Sequence, residues 1–163
     1  GAKQADESLK NMGFIIHCRK CLFRNPINGL APHIPDKCPE CGEKTQVGGP
    51  LWLGEIQDPD FIEGMISLAE EKEINTEKKV LKLLNQCLEE SGMPATFYDL
   101  HGVCKKLKIS APPILDVMES LEAENFLVSR THYNPTAIKT NAPLNKIEEV
   151  IKRLLSEYQA NNG

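Results

Sequence analysis

The chain has 163 residues, of which 40% are hydrophobic and 26% charged, and a formal net charge of −4. This is the balance of a globular protein with room for one domain or two small ones, and the negative sign argues against a uniformly basic nucleic-acid-binding surface. No run approaches the roughly 18 apolar residues of a membrane span, and the opening GAKQADESLK lacks the apolar core of a signal peptide, so the chain reads as cytoplasmic, where paired cysteines point to metal before disulfides.

In chain order, Ala5–Met12 reads as the end of a helix stopped by Gly13, and Phe14–His17 as a short strand leading to a first cysteine pair. The stretch RNPINGLAPHIPDK between the pairs is rich in Pro, Gly and Asn and reads as loop. Gly48-Gly49-Pro50 punctuates the chain, and Leu51-Trp52-Leu53 before Gly54 is expected as a buried strand. Asp58 as N-cap and Pro59 at the first helical position open a helix with Phe61, Ile62, Met65, Ile66 and Ala69 as its buried stripe. The polar run Glu70–Lys79 reads as a hinge between two modules.

Three helical patterns follow. Val80, Leu83, Leu84, Cys87 and Leu88 share one helix face, which ends at Gly92 and Pro94. Thr96 with Asp99 three residues on resembles a capping box for a helix carrying Leu100, Val103, Cys104 and Leu107. Ser110-Ala-Pro-Pro opens the third, with Ile114, Val117, Met118 and Leu121 inward. The period then changes: Phe126 to Tyr133 and Thr136–Thr140 read as two strands about an Asn134-Pro135 turn. Asn145 caps a last helix with Ile147, Val150, Ile151, Leu154, Leu155 and Tyr158 on one face. The expected fold is α+β: a zinc-ribbon module over residues 1–72, then a mostly helical winged-helix-like module over 73–163 with a C-terminal helix.

The cysteines Cys18, Cys21, Cys38 and Cys41 form C-x2-C, sixteen residues, C-x2-C. Two residues between thiols let both sulfurs of a knuckle reach one ion, and two knuckles complete a closed tetrahedron, the signature of structural Zn2+. Gly42 turns the chain after Cys41, while Arg19 and Lys20 offset thiolate charge. His17 and His33 read as surface or loop residues, and Cys87 and Cys104 as core. No Gly-rich phosphate loop, nucleophile elbow or H-E-x-x-H motif is present, so no catalytic or cofactor-binding residue is assigned. Phe126 to Ile147 has no acidic residue but holds Arg130, His132, Tyr133, Lys139 and Thr140, a hairpin composition suited to phosphate contact and stacking.

GPLWLG (Gly49–Gly54) after the four-cysteine unit, followed by SRTHYNPTAIKTNAP (Ser129–Pro143), resembles the C-terminal region of the tRNA guanine-26 N2-dimethyltransferases over nearly the whole chain. The resemblance implies that the four cysteines are zinc positions and that Arg130, Thr131, His132, Lys139 and Thr140 face tRNA or the catalytic domain. It also implies that S-adenosylmethionine is bound by a methyltransferase domain upstream of this stretch, leaving this part inactive alone. One departure is Ala137, where the family pattern commonly has glycine; a positive φ there would strain alanine. Two other readings are a zinc-ribbon winged-helix DNA regulator and a protein-interaction module with acidic helices as its docking face. Against the regulator, the third helix carries Asp116, Glu119, Glu122 and Glu124 and no Lys or Arg, the wrong charge for a helix entering a groove between phosphates.

Overall fold

The computed structural model describes residues 1–72 and 76–161. Within them the chain forms two compact units, Gly1–Gly54 and Glu55–Gly163.

In the first unit, α1 (Ala2–Leu9) precedes a three-stranded antiparallel sheet of order β2-β1-β3, made from β1 (Met12–His17), β2 (Arg24–Asn28) and β3 (Gln46–Trp52). The helix ends earlier than its expected Met12 boundary, and Gly13 does not stop it. Gly13 lies inside β1, buried, opposite Asn28 on β2 and Leu51 on β3. A Cβ at this position would stand 2.4 Å from the Ile27 carbonyl oxygen and 2.5 Å from Leu53 Cδ1, so close approach of backbones is what requires glycine.

The start of the expected loop is strand β2, which pairs with β1 from His17↔Arg24 to Gly13↔Asn28. Pro26 is tolerated because β2 is an edge strand, where one side of the ladder needs no donor. Leu51 and Trp52 lie in strand as expected but are 42% and 43% exposed, not buried. The cause is position: β3 is the other edge of a small sheet, and all its residues are exposed.

The second unit opens with α2 (Pro59–Glu71), whose Asp58 cap accepts a hydrogen bond from the Phe61 N–H at 3.0 Å. Ile62 and Ala69 are buried, but Phe61 is 66% exposed, because its place in the first turn lies off the inward stripe. Helix α2 packs on α3 (Glu77–Glu89) and is grouped with it in the second unit, whereas the sequence reading put it with the ribbon. The expected hinge from Glu70 to Lys79 falls partly on α2 and α3, and its residues 73–75 lie outside the described residues. Leu83 on α3 is 47% exposed, while Val80, Leu84, Cys87 and Leu88 are half-buried.

Next come β4 (Tyr98–Asp99), α4 (Leu100–Leu107), α5 (Ile114–Ala123), β5 (Val128–Arg130), β6 (Ala137–Thr140) and α6 (Leu144–Asn161). Asp99, not Thr96, caps α4, accepting from the His101 N–H at 3.2 Å. Tyr98 and Asp99 pair with Ile138 and Ala137, which holds them extended up to the helix start. Helix α6, by contrast, starts before its expected cap. The Pro143 carbonyl accepts from Ile147 N–H at 3.3 Å, leaving Asn145 inside the first turn. Ala137 is a buried strand residue and does not have a positive φ, so alanine carries no strain there.

The order in the second unit is two helices, a strand, two helices, two strands and a helix, with a β4-β6-β5 sheet. Val103, Cys104, Val117, Leu121, Ile138, Ile147, Val150 and Ile151 form its core, each no more than 2% exposed. No described helix is long and apolar enough to cross a membrane.

Gly13→Ala tests the first unit. The new methyl must displace the Ile27 carbonyl, so unfolding in denaturant is expected at lower concentration, with a loss of about 1–3 kcal/mol.

Candidate metal centre and wing

Strand β1 ends directly at Cys18, and the chain reverses through a tight knuckle. The Cys18 N–H donates to the Phe23 carbonyl at 2.8 Å, and the Leu22 N–H returns to the Cys18 carbonyl at 2.8 Å. The second knuckle repeats this path: Cys38 N–H to the Glu43 carbonyl at 2.7 Å, and Gly42 N–H to the Cys38 carbonyl at 2.9 Å. The residue after each second cysteine takes a left-handed turn, Leu22 at φ 66° and Gly42 at φ 71°. Glycine suits that turn and leucine does not, so the repeated conformation is set by the knuckle rather than by the side chain.

The two knuckles bring four sulfurs together. Cys18 Sγ lies 3.5 Å from Cys41 Sγ, Cys21 Sγ lies 3.4 Å from Cys38 Sγ, and all four are within 4.8 Å of one another. A disulfide needs about 2.05 Å, and all four cysteines are free. Four thiolates at about 2.3 Å from a tetrahedral ion have sulfurs about 3.8 Å apart. The cluster therefore has the donor set and spacing of a closed tetrathiolate site.

Its electrostatics are uneven. Backbone N–H groups, led by that of Cys21, bring the Cys18 thiol down to about 7, while burial pushes Cys21 up to about 12. The cations beside Cys18 have other partners as well: Arg19 Nε donates to Gln46 Oε1 at 2.6 Å, and Lys20 Nζ pairs with Glu43 Oε1 at 2.9 Å. That Glu43 pair raises the Lys20 ammonium most, with Cys41 and Cys18 adding to it. His33 is exposed, as a loop residue should be. His17 is half-buried on β1, and desolvation, then Arg24 and Arg19, lower its pKa.

In the second unit, β5 and β6 form the expected hairpin, in register Val128↔Thr140 to Arg130↔Ile138. Its chemistry faces inward more than its composition implied. Thr131, Lys139 and Thr140 are 1%, 6% and 5% exposed. Thr131 Oγ1 donates to the Asn134 carbonyl at 2.8 Å and holds the turn, and Thr140 Oγ1 accepts from the Ala142 N–H at 3.0 Å. Arg130 is half-buried and donates to the Pro135 carbonyl at 2.8 Å. His132 and Tyr133 are the exposed members, and Tyr133 is braced edge-on by Phe97 and His132 at ring distances of 5.2 and 5.0 Å.

The residue that organises these groups is Glu90. It follows α3 immediately and is 1% exposed. Its Oε1 accepts from the His132 backbone N–H and lies 2.8 Å from His132 Nδ1; Oε2 faces Lys139 Nζ at 3.1 Å as an ion pair rather than an aligned hydrogen bond. Burial raises the Glu90 carboxyl, but the hydrogen bonds from His132 and the nearby Lys139 outweigh it and hold the group below its ordinary range. The sequence signal was present: Glu90 lies seven residues after Leu83 and three after Cys87, on the apolar stripe itself.

Comparison with known proteins places these features. A family profile described as N2,N2-dimethylguanosine tRNA methyltransferase matches residues 1–152. Among curated relatives, the tRNA (guanine(26)-N(2))-dimethyltransferase of Methanobrevibacter smithii is 56% identical over 156 residues, covering 96% of this chain and 40% of the relative. The enzyme of the same description from Methanothermobacter thermautotrophicus is 54% identical over 157 residues, covering 96% and 41%. The chain thus spans about two-fifths of the length of these relatives. A solved structure, Trm1 from Pyrococcus horikoshii in complex with S-adenosyl-L-methionine, superposes with a TM-score of 0.79 at 30% identity, covering 93% of this chain and 38% of that one.

The buried network makes two predictions. Lys139→Met strips Glu90 of its ammonium partner and is expected to destabilise the chain by about 3 kcal/mol in denaturant unfolding. Because the folded Glu90 carboxyl is depressed, its contribution is complete above the unfolded value near 4.5 and is lost as pH falls below it. The melting temperature should therefore fall in acid, and Glu90→Gln should remove part of that fall.

Proposed function

From the premise that this chain belongs to the N2,N2-dimethylguanosine tRNA methyltransferase family, we propose that it is the tRNA-recognition part of a cytoplasmic tRNA (guanine-26-N2)-dimethyltransferase, with a zinc-ribbon followed by a winged-helix module. The observation that carries this reading is 56% identity across 96% of the chain to an enzyme of that description, of which the chain spans 40%.

In this reading, Cys18, Cys21, Cys38 and Cys41 hold a structural Zn2+. The donor set is all thiolate and complete, so the ion has no open position for water or substrate and serves as a cross-link. The fit is supported by sulfurs all within 4.8 Å of one another and by two knuckles sharing one backbone path.

S-adenosylmethionine supplies the methyl group in the whole enzyme. One cavity of this chain does not suit it. A surface cavity of about 450 Å³ in the second unit is lined by Lys108 and Lys152 with Ser110, Ser156, Gln159, Ile109 and Leu155, and no carboxylate. Two ammonium groups repel a sulfonium, and nothing acidic is present to take ribose hydroxyls. We therefore assign cofactor binding and methyl transfer to the remainder of the parent protein, the catalytic domain being this part's partner.

This part's own task is to position tRNA. The module does not read a major groove with α5, where Asp116, Glu119, Glu122 and Glu124 sit without a compensating Lys or Arg on the helix. RNA helices are read mainly by shape and backbone, which a module of modest charge can do beside a second domain. On the wing, we assign the RNA contact to His132 and Tyr133, the exposed members, with Arg130 beside them. Thr131, Lys139 and Thr140 act by holding the hairpin against Glu90 and its own turn.

Elemental analysis of reduced protein is expected to find one zinc per chain, and Cys38→Ser to lose it. Chelation should lower the melting temperature. In filter binding at low salt the chain is expected to retain tRNA, and with S-adenosylmethionine alone to transfer no methyl group. Turnover by this chain would overturn the division of labour, and absence of tRNA binding would overturn the recognition role.

A further inference from the structure

The cavity that does not suit the cofactor has a charge pattern opposite to that of the chain around it. One wall is the end of α4 and the residues after it, Lys108 and Ser110. The other is a single face of α6, where Lys152, Ser156 and Gln159 recur at i, i+4 and i+7. Helices α4 and α6 pack together and are joined by the Lys106–Glu148 ion pair at 2.5 Å. The walls are therefore held in fixed relation.

Most other cations of this unit's hairpin and last helix are already engaged. Lys139 pairs with Glu90, Arg130 donates to the Pro135 carbonyl, and Lys146 and Arg153 both pair with Glu124 at 2.9 Å. Each carboxylate of α6 is also taken: Glu148 by Lys106, Glu149 by Lys146 at 3.0 Å, and Glu157 by Arg153 at 4.0 Å. Among the described residues, Lys108 and Lys152 have no ion-pair partner. Two lysines without an ion-pair partner thus line one cavity with Ser110, Ser156 and Gln159, beside Ile109 and Leu155 and with no carboxylate in the lining.

Lys108 adds a second observation. It ends α4 with φ 58°, its N–H bonding back to the Cys104 and Lys105 carbonyls. Helix ends of this shape strongly favour glycine, and a lysine there is held in a conformation that costs L-residues stability.

We propose that this α4–α6 groove binds the phosphodiester backbone of tRNA, with Lys108 and Lys152 as its anionic contacts and the serine and amide groups donating hydrogen bonds to phosphate oxygens. The inference rests on the tRNA-recognition reading and adds to it a phosphate-binding surface separate from the wing. Contacts of this kind set position and register and carry no base information, which suits a module accompanying a catalytic domain.

The test is filter binding of tRNA to the whole chain between 50 and 200 mM salt, for wild type, Lys152→Gln, Lys108→Gly with Lys152→Gln, and a control pair, Lys78→Gln with Lys82→Gln on α3. The groove pair is expected to weaken binding about tenfold at low salt and to reduce the slope of log affinity against log salt by about 1.5, two phosphate contacts' worth. Lys152→Gln alone should give about half of that slope change. Lys108→Gly should leave the melting temperature equal or raised, since glycine adopts the turn without strain, so the lost binding is not lost folding. The control pair, with the same charge change, should cost less than about twofold. If wild type binds tRNA and the groove variants bind equally well, or the control loses as much, the groove assignment falls while the recognition reading stands. If wild type binds no tRNA, the recognition reading itself falls.

Discussion

On our reading the first unit depends on a cross-link, because its described residues form almost no core. Among its described residues, the buried hydrophobic positions are Ile16, Cys18 and Cys38, two of which are members of the sulfur cluster. One isoleucine and a three-stranded sheet with exposed edges cannot offset the conformational entropy of ordering the unit. Small units in this position are held by metal or disulfides. The sulfurs here are too far apart for disulfides and suitably spaced for one ion, so on our reading the binding energy of the ion is folding energy. This also explains why Leu22 accepts a left-handed turn: the knuckle hydrogen bonds and the cluster impose it, and the preference of leucine against that conformation is the smaller term.

The second unit solves its stability in the ordinary way, with an apolar centre of isoleucine, valine and leucine from α4, α5, β6 and α6. What that centre does not fix is where the hairpin lies relative to α3. Glu90 does this. A carboxylate at 1% exposure is costly unless several donors meet it. Here the backbone and ring of His132 donate and the ammonium of Lys139 adds an ion pair, from both sides of the hairpin. An apolar residue in place of Glu90 could fill the space but would not choose a register for the hairpin. Buried charge used for geometry rather than for net stability is a known pattern.

Legibility in the sequence followed the range of the interactions. The four cysteines, the Asp58 cap, the α4–α6 stripes and the β5–β6 hairpin are set by neighbours a few residues away, and spacing alone revealed them. Strand β2 was missed because its composition is that of a turn and its existence comes from pairing with β1. Gly13 reads locally as a helix stop, but its requirement comes from Ile27 and Leu53, distant in sequence. The burial of Lys139 and Thr140 was missed for a similar reason. Basic and hydroxyl side chains on a hairpin suggest a surface, and only the partner at Glu90, some fifty residues earlier, shows that Lys139 points in. Exposure of Leu51 and Trp52 has the same origin: apolar content marks a strand, while its place at a sheet edge decides whether it is covered.

On the proposed reading, the same distinction between charge content and charge pairing resolves how a chain of net charge −4 serves a polyanion. The total is dominated by residues 51–125, where fifteen Asp and Glu stand against seven Lys and Arg. Many of the charges in the second unit cancel at short range: Glu124 with Lys146 and Arg153, Glu148 with Lys106, Glu90 with Lys139. A phosphate beyond a Debye length of about 8 Å does not feel such pairs. What it feels are the charges left over, and near the end of α4 these are lysines on a lining without carboxylates. Net charge governs long-range encounter and solubility; local residual charge governs where an approaching backbone comes to rest. A wing whose cations are tied into its own fold and a groove whose cations are not are therefore different surfaces, however similar their compositions look in the sequence.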